Sequence, residues 1–178
     1  MALDAVPSSA TFDSYTTVAE ADIYHSMRLH NPEWAAASTP TKEAALKWAT
    51  KNFEKLNWKG FRTVVGQKFM FPRNMLFRDG EEYGYGADAI YNTYMFDPAT
   101  IPDFLKDATA ELAFWLIKAD TTAPIGTEGF KKLGIGSGAI SIELDKTDRL
   151  DWLYDSVRDI IYRYLLNPNP YVASTMRV

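Results

Sequence analysis

Hydrophobic side chains recur at helical spacing in several parts of this chain, and local start and stop signals divide them into separate helices. Thr17 and Glu20 form a capping box, which predicts a short first helix that runs to about residue 29 and ends before Pro32. Thr39 opens a second helix as its N-cap, with proline in the first helical position. The inward stripe predicted for this second helix consists of Ala45, Trp48, Ala49, Asn52, Phe53 and Leu56.

A third helix is predicted over residues 103–118, after Pro102, and its sequence is apolar on nearly every face. We therefore expect it to be the central helix. Asp148 is the predicted cap of a last helix, whose apolar stripe begins at Leu150 and stops before Pro168. The side chains that we expect in the core of the protein are Trp48, Leu112, Trp115, Leu153 and Ile161.

Residues 57–101 join the second and third helices without helical periodicity and contain many aromatic side chains. A connection of this length is uncommon unless it is functional or disordered, and its aromatic content argues against disorder. We expect a large loop that is ordered by itself or by a partner, with short strands within residues 63–71. Farther along, the alternating residues 139–144 predict a short strand that pairs with residues 133–135 in a hairpin.

These elements together predict a mainly α fold. It is a small bundle of about four helices with a long aromatic loop, a short β-hairpin and an extended C-terminal tail. We expect one helical domain over residues 1–166, with the loop of residues 57–101 inserted in it. Residues 167–178 form a separate C-terminal arm, because Pro168 and Pro170 prevent the last helix from continuing.

Composition narrows the classes of protein that fit. The chain has 178 residues, a formal net charge of −4 and no cysteine, which excludes disulfides, thiolate zinc sites and cysteine nucleophiles. An acidic chain is a poor general binder of polyanions, because phosphate contacts supply most non-specific affinity for nucleic acids. We expect no signal peptide at the N-terminus and no membrane span, since the longest apolar stretch, residues 112–117, is too short.

The sequence offers little catalytic chemistry. Its two histidines, His25 and His30, are five residues apart and do not share a helix face, so they predict structural roles rather than a metal site. The glycine-rich residues 134–138 lead into a strand and lack a following Lys-Ser or Lys-Thr, which favours a hairpin turn over a phosphate-binding loop. We therefore expect no catalytic residues, no metal and no cofactor.

Two segments, residues 58–62 and 68–73, interleave basic and aromatic side chains in a way that can bind unpaired bases by stacking. The competing interpretation is that their aromatic rings pack under the long loop while the charged ends remain in water. The charged side chains concerned are Lys59, Arg62, Lys68 and Arg73. Three further lysines, Lys47, Lys51 and Lys55, line one side of the second helix and are typical of a solvated face.

An ordered set of short motifs resembles a phage protein family described as DnaT-like single-stranded-DNA-binding. The motifs are Ser14 to Tyr24, Trp34-Ala-Ala, Lys42 to Leu46, Trp58-Lys-Gly60, Gly66-Gln67, Phe71-Pro-Arg73, Ile101-Pro102, Ala108 to Ala113 and Leu133 to Leu144. Members with this pattern resemble the head-completion adaptors of tailed bacteriophages. Residues 78–98 and the tail from Asn167 are longer here than the family pattern implies.

The resemblance implies a structural head–tail adaptor that forms a dodecameric ring beneath the portal protein, extends the DNA channel and provides the surface for tail attachment. The implied partners are the portal, a tail or nozzle (stopper) protein, other copies of the chain, and passing genomic DNA that is not bound sequence-specifically. The protein would be made in the host cytoplasm and reside in the virion. The alternative is a single-stranded-DNA-binding replication accessory protein.

Two sets of residues are predicted to make the partner contacts. The C-terminal arm has apolar anchors and a terminal charge on a pre-extended chain, which favours docking to the portal. Its predicted portal-binding residues are Tyr171, Val172, Met176, Arg177 and Val178. The long loop is too aromatic to be solvated alone, which favours contact with a neighbouring subunit or the tail. The predicted loop contacts are Tyr83, Tyr85, Tyr91, Tyr94 and Phe96.

Overall fold

A computed structural model of the chain describes residues 3–78, 94–119, 132–135, 140–143 and 153–166, the third and fourth of these ranges by their backbone alone. The described part is mainly helical with short antiparallel strand pairs, as the sequence predicts. Its elements in chain order are α1 (Val18–Ser26), α2 (Pro32–Ala36), α3 (Thr39–Phe53), β1 (Phe61–Arg62), β2 (Arg73–Asn74), α4 (Asp103–Lys118), β3 (Lys132–Ile135), β4 (Ile140–Glu143) and α5 (Asp155–Ile161), followed by a 3-10 turn (Tyr162–Tyr164).

Helix α4 is the centre of the bundle, as its apolar sequence predicts, and α1, α2, α3 and α5 all pack against it. Leu105, Ala108, Leu112 and Ala113 on α4 are fully buried. The predicted hairpin also forms, with Leu133 of β3 opposite Ile142 of β4. These two elements were predictable because their signals, an all-round apolar helix and a strand alternation beside glycine, are local in sequence.

The capping box of α1 forms as predicted. The Thr17 hydroxyl accepts from the Glu20 amide at 3.2 Å, and the Glu20 carboxylate accepts from the Thr17 amide at 2.9 Å. The helix ends at Ser26, earlier than predicted, because the Asn31 side chain donates to the His25 carbonyl and so satisfies a terminal acceptor. Asn31 is also the N-cap residue of α2, a helix that was not predicted because five residues show no periodicity.

Trp48 is not in the core, and the prediction that placed it there is wrong. The Trp48 side chain is 45% exposed. The predicted N-cap of the same helix is also wrong, because α3 is capped by Ser38 rather than Thr39. The buried stripe of α3 includes Thr50, whose hydroxyl donates to the Leu46 carbonyl and therefore needs no water. Trp48 is two residues from both Leu46 and Thr50, which corresponds to about 200° of rotation around the helix. Burial of Leu46 and Thr50 therefore places Trp48 on the outward face.

Three of the other four predicted core residues are buried. Leu112, Leu153 and Ile161 are buried, whereas Trp115 is only partly buried and stacks on Tyr154 at 4.1 Å between ring centroids. Helix α5 begins at Asp155, later than the predicted start, because Tyr154 has an extended backbone that brings its ring onto Trp115. The predicted cap at residue 148 lies outside the described residues.

Candidate interaction surfaces

The segment that leaves α3, residues 55–78, is strongly basic in an otherwise acidic chain. We call it the basic loop. It contains no Asp or Glu, and its six basic residues are Lys55, Lys59, Arg62, Lys68, Arg73 and Arg78. The strands predicted inside residues 63–71 are instead β1 and β2 on either side of that range. Residues 63–71 form turns, because the Gln67 side chain bonds the backbone of Val64, Phe69 and Pro72.

Arg73 acts as a clamp within the basic loop. Its guanidinium donates to the carbonyl oxygens of Lys59 at 2.7 Å and of Trp58 and Met70 at 3.2 Å each, and also to that of Gly60. The expectation that Arg73 stays in water is therefore wrong, because one planar five-donor group satisfies carbonyls from two separate segments, residues 58–60 and Met70. Burial lowers the pKa of Arg73, and the nearby positive charge of Arg62 lowers it further.

Glycine is required at position 60, whose carbonyl is one of those bound by Arg73. Its φ is +68°, and a Cβ at this position would overlap the carbonyl oxygen of Asn74 on the opposite strand. The Trp58-Lys-Gly60 motif thus combines a buried ring, a positive-φ turn and three carbonyl groups that accept hydrogen bonds from Arg73. The motif fixes the conformation of the loop rather than presenting side chains to a ligand.

A second set of contacts ties the basic loop to α3 and to the N-terminal segment. The Glu54 carboxylate accepts from the Met70 amide at 2.9 and 3.0 Å and from the Tyr15 hydroxyl. Burial raises the pKa of Glu54, although the hydrogen bond from Tyr15 opposes this effect. Lys68 donates to the Phe12 carbonyl at 2.6 Å. These contacts hold the basic loop against the helical bundle.

The aromatic rings of the two basic-aromatic segments are mostly used in packing. Trp58 and Phe71 are buried and meet edge to face at 4.9 Å, and Phe69 packs edge-on against Phe12 at 5.2 Å. Only Phe61 in these segments is an exposed ring, and Arg62 beside it is exposed as well. The interpretation in which the rings pack beneath the loop is therefore confirmed for Trp58 and Phe71.

Two groups of exposed apolar side chains occur in the described residues outside α3, besides single exposed residues such as Val6, Tyr94 and Leu166. The α1 patch consists of Ile23, Met27 and Leu29. The loop-tip patch consists of Phe61, Val64 and Val65. Leu29 is 93% and Val65 is 103% exposed, so neither side chain is covered by the described part of the chain. Groups of exposed apolar side chains usually mark interaction sites.

The α1 patch was missed at the sequence level, although a signal was present. Ile23 and Met27 are four residues apart and so share one face of the helix, while Ala21 and His25 lie on another face and are buried. The buried face includes His25, whose Nε2 lies 3.1 Å from the Ala110 carbonyl oxygen. A histidine on the buried face hides the amphipathic pattern, because periodicity was judged from apolar residues alone.

The predicted loop contacts fall in different places. Tyr83, Tyr85 and Tyr91 lie outside the described residues. Tyr94 is exposed, whereas Phe96 is partly buried and packs on Phe104 at 5.3 Å. The two chain segments that flank residues 79–93 are held together, because the Arg78 amide donates to the Tyr94 carbonyl at 2.7 Å and the Phe96 amide donates to the Leu76 carbonyl.

The predicted portal-binding residues Tyr171, Val172, Met176, Arg177 and Val178 lie outside the described residues.

Helix α1 is joined to α4 by ion pairs. Glu20 lies 2.6 Å from Lys106, and the buried Glu111 pairs with Arg28 and accepts from Tyr24 and Trp115. Partial burial by itself would raise the pKa of Glu20, but hydrogen bonds from Lys106 and Thr17 outweigh it and lower the pKa from 4.5 to about 2.

Replacing Glu20 with Gln isolates the charge of this pair, because Gln keeps the hydrogen bonds of the capping box. A lowered pKa means that the ionised form stabilises the fold above pH 4.5 and that this contribution disappears as the pH falls toward 2. We expect Glu20→Gln to be less stable than the wild type near pH 7 and nearly equal to it near pH 2. Urea unfolding across that range measures the difference, and a gap that stays constant with pH would contradict the assignment.

The described ranges contain no cluster of metal ligands and no membrane-spanning helix. No group of three or more His, Asp or Glu side chains lies close enough there to hold a metal ion. None of the helices in the described part has the length and apolarity needed to cross a bilayer. Burial lowers the pKa of His25, and a hydrogen bond with the Ala110 carbonyl opposes this effect. His30 is exposed.

The described part of the chain is thus a helical bundle that carries a clamped basic loop and two exposed apolar patches. A family model described as "Putative DnaT-like ssDNA binding protein" matches residues 3–178, and the chain belongs to this family. Searches of curated proteins and of solved structures find no match to this chain. Many residues in the motifs that carry the family resemblance are buried, among them Tyr15, Trp34, Trp58, Phe71 and Leu112.

Proposed function

We propose that this protein is a head–tail adaptor of a tailed bacteriophage. Twelve copies would form a ring beneath the portal, extend the DNA channel and provide the surface to which the tail attaches. The proposal assigns no catalytic residue and no cofactor, and it places the protein in the virion after synthesis in the host cytoplasm. Genomic DNA would pass through the ring without sequence-specific contacts.

The observation that carries this proposal is how the aromatic residues are distributed. A protein that holds single-stranded DNA by stacking presents aromatic faces beside basic groups. Here Trp58 and Phe71 are buried, and the exposed apolar side chains of the described residues include the α1 patch and the loop-tip patch. A rigid bundle with two uncovered apolar patches is suited to assembly with other proteins.

Two segments supply the other contacts in this proposal. The C-terminal arm, residues 167–178, docks on the portal through Tyr171, Val172, Met176, Arg177 and the terminal Val178. The loop between Tyr83 and Phe96, which includes Tyr85, Tyr91 and Tyr94, contacts the neighbouring subunit or the tail, nozzle or stopper protein. The fixed base of this loop supports such a role, because it holds both ends of the loop at one place on the bundle.

Single-stranded-DNA binding is the second candidate function. The description of the family favours it, and so does the basic loop, whose six basic residues have no acidic neighbour in the same segment. Phosphate contacts alone give affinity that falls steeply with salt. Within the basic loop, Arg62 is an exposed basic residue beside the exposed ring of Phe61, and it is therefore the position at which this function is best tested.

The test of the adaptor role is co-sedimentation with the portal protein of the same virus. We expect the full chain to bind the portal, and a chain truncated after Asn167 to melt normally but not to bind. A full-length Tyr171→Ser/Met176→Ser variant should lose binding too, whereas Ser174→Ala should keep it. Portal binding by the truncated chain would rule out the docking arm. Failure of the full chain to bind, with salt-dependent oligonucleotide binding that Arg62→Glu abolishes, would favour the second candidate.

A further inference from the structure

His25 packs α1 against the central helix in a form that requires a neutral imidazole. Its side chain is buried, with 1% exposure, and its Nε2 lies 3.1 Å from the Ala110 carbonyl oxygen of α4. A carbonyl oxygen can only accept a hydrogen bond, so Nε2 carries the proton and Nδ1 does not. Nδ1 is buried and has no hydrogen-bond partner in the described part of the chain. A second proton, on Nδ1, would therefore have no acceptor.

The two aromatic rings that enclose His25 each have a cation beside them already. The imidazole centroid lies 4.5 Å from that of Trp34 on α2 and 5.7 Å from that of Phe114 on α4. An imidazolium is attracted to aromatic faces. However, the Lys42 ammonium lies 5.1 Å from the Trp34 centroid, and the Arg28 guanidinium lies 4.4 Å from the Phe114 centroid. A positive charge on His25 would thus be repelled by a cation at each ring.

The carboxylates near His25 are also engaged. The titratable and charged groups around the imidazole are Asp22, Tyr24, Arg28, Lys42 and Glu111. Glu111 pairs with Arg28, and Asp22 lies 2.8 Å from Lys42. The two negative charges are therefore already balanced by these two cations. Burial lowers the pKa of His25, and the smaller effects of the Ala110 hydrogen bond and the Glu111 charge oppose it.

The segment that His25 attaches to α4 has few other buried residues. Within residues 17–38, the buried residues are Ala21, His25 and Trp34. The Asn31 side chain donates to the His25 carbonyl at 2.6 Å, which joins the end of α1 to the start of α2. The two helices therefore form one unit with a small buried surface. Units of this kind open locally at a lower free-energy cost than the core.

We propose that His25 is an acid-sensitive latch, whose protonation releases α1 and α2 from α4 while α3, α4 and α5 stay packed together. In the closed form a proton on Nδ1 places a positive charge in a buried site without an acceptor, whereas in the open form water solvates it. Opening would also uncover the rings of Trp34 and Phe114, so the latch controls the exposure of an apolar surface. The latch does not depend on the adaptor role.

The expected pH range of opening lies below about 6.5, the ordinary pKa of histidine. Because the pKa of His25 is lowered in the folded state, its neutral form stabilises the closed segment above that pH, and this contribution is lost as the pH falls below it. Despite burial, hydrogen bonds place the pKa of Glu20 at about 2 and lower that of Glu111, so both ion pairs of α1 persist. Burial raises the pKa of Glu54 and of Asp107, whose protonation has the opposite, stabilising sign.

Hydrogen exchange of single amides, followed by NMR, tests the latch. Protection factors are compared, because they correct for the intrinsic effect of pH on exchange. We expect those of the α1 amides to fall about tenfold between pH 7 and pH 5, with those of α4 unchanged. His25→Gln keeps a donor for the Ala110 carbonyl but does not titrate, so its α1 protection should not fall in this way. His30→Gln changes an exposed histidine and should behave like the wild type.

The wild-type chain provides a second measurement that does not depend on the folding of His25→Gln. The imidazole NMR signals of His25 should shift on acidification together with the α1 amide signals, because protonation and opening are one event. Several results would overturn the latch. They are equal α1 protection at pH 7 and pH 5, an equal loss of protection in α4, the full pH effect in His25→Gln, and protonation of His25 without a change in the α1 amides.

Discussion

Leu112→Ala is expected to lower the free energy of unfolding by about 2–5 kcal/mol, because it removes a fully buried side chain and leaves a cavity. Leu112 is 0% exposed and lies on α4, the helix against which α1, α2, α3 and α5 pack. The surrounding helices are held by several contacts each and can collapse into the cavity only in part. Urea denaturation followed by far-ultraviolet circular dichroism measures the loss.

Leu29→Ala is the matched control, because it makes the same chemical change at a side chain that is 93% exposed. We expect it to change the free energy of unfolding by less than about 0.5 kcal/mol. Equal stability of Leu112→Ala and the wild type would mean that α4 is not the centre of the bundle.

Arg73→Lys is expected to destabilise the protein by about 2–4 kcal/mol despite conserving the charge. A lysine ammonium cannot reach the four carbonyl oxygens of Trp58, Lys59, Gly60 and Met70 that the guanidinium satisfies. Buried carbonyls without donors each cost about 1–3 kcal/mol. Hydrogen exchange should show the backbone of the basic loop opening in this variant.

Arg62→Lys is the control for this change. Arg62 pairs directly with Arg73 across β1 and β2, but it is exposed, and its hydrogen bond is to the Met70 sulfur. Its replacement should leave stability within about 0.5 kcal/mol of the wild type. Similar losses in both variants would show that general charge in the loop, rather than the clamp, determines stability.

The parts of the fold that were predictable depend on neighbours in sequence. The capping box of Thr17 and Glu20 and the apolar surface of α4 are visible within a few residues, and both were predicted. Trp48 was misplaced because Thr50 satisfies its own hydroxyl and can face the core. The pattern of apolar residues in the sequence cannot show that a polar Thr50 is buried while the apolar Trp48 is exposed.

The contacts that shape the candidate surfaces join residues that are far apart in sequence. Glu54 is 16 residues from Met70, and Arg28 is 83 residues from Glu111. No local periodicity reports such pairs, so Arg73 and Glu54 were not predicted as the groups that hold the basic loop. The exposed face of α1 was missed for a similar reason, since it becomes visible only once its opposite face is known to be buried.

The last described residues, 164–166, attach the C-terminal end of the bundle to the basic loop and to α4. Leu165 bridges Trp58 in antiparallel fashion, and the bridge is closed by hydrogen bonds from the Leu166 amide to the Asn57 carbonyl at 2.9 Å and from the Lys59 amide to the Tyr164 carbonyl at 2.8 Å. The Tyr164 ring also stacks on Phe104 at 3.8 Å, and its hydroxyl holds the Arg78 carbonyl at 2.7 Å. A pulling force applied to the chain beyond residue 166 therefore acts first on the contacts of residues 164–166 with Trp58, Phe104 and Arg78. These contacts must break before the force can unwind α5.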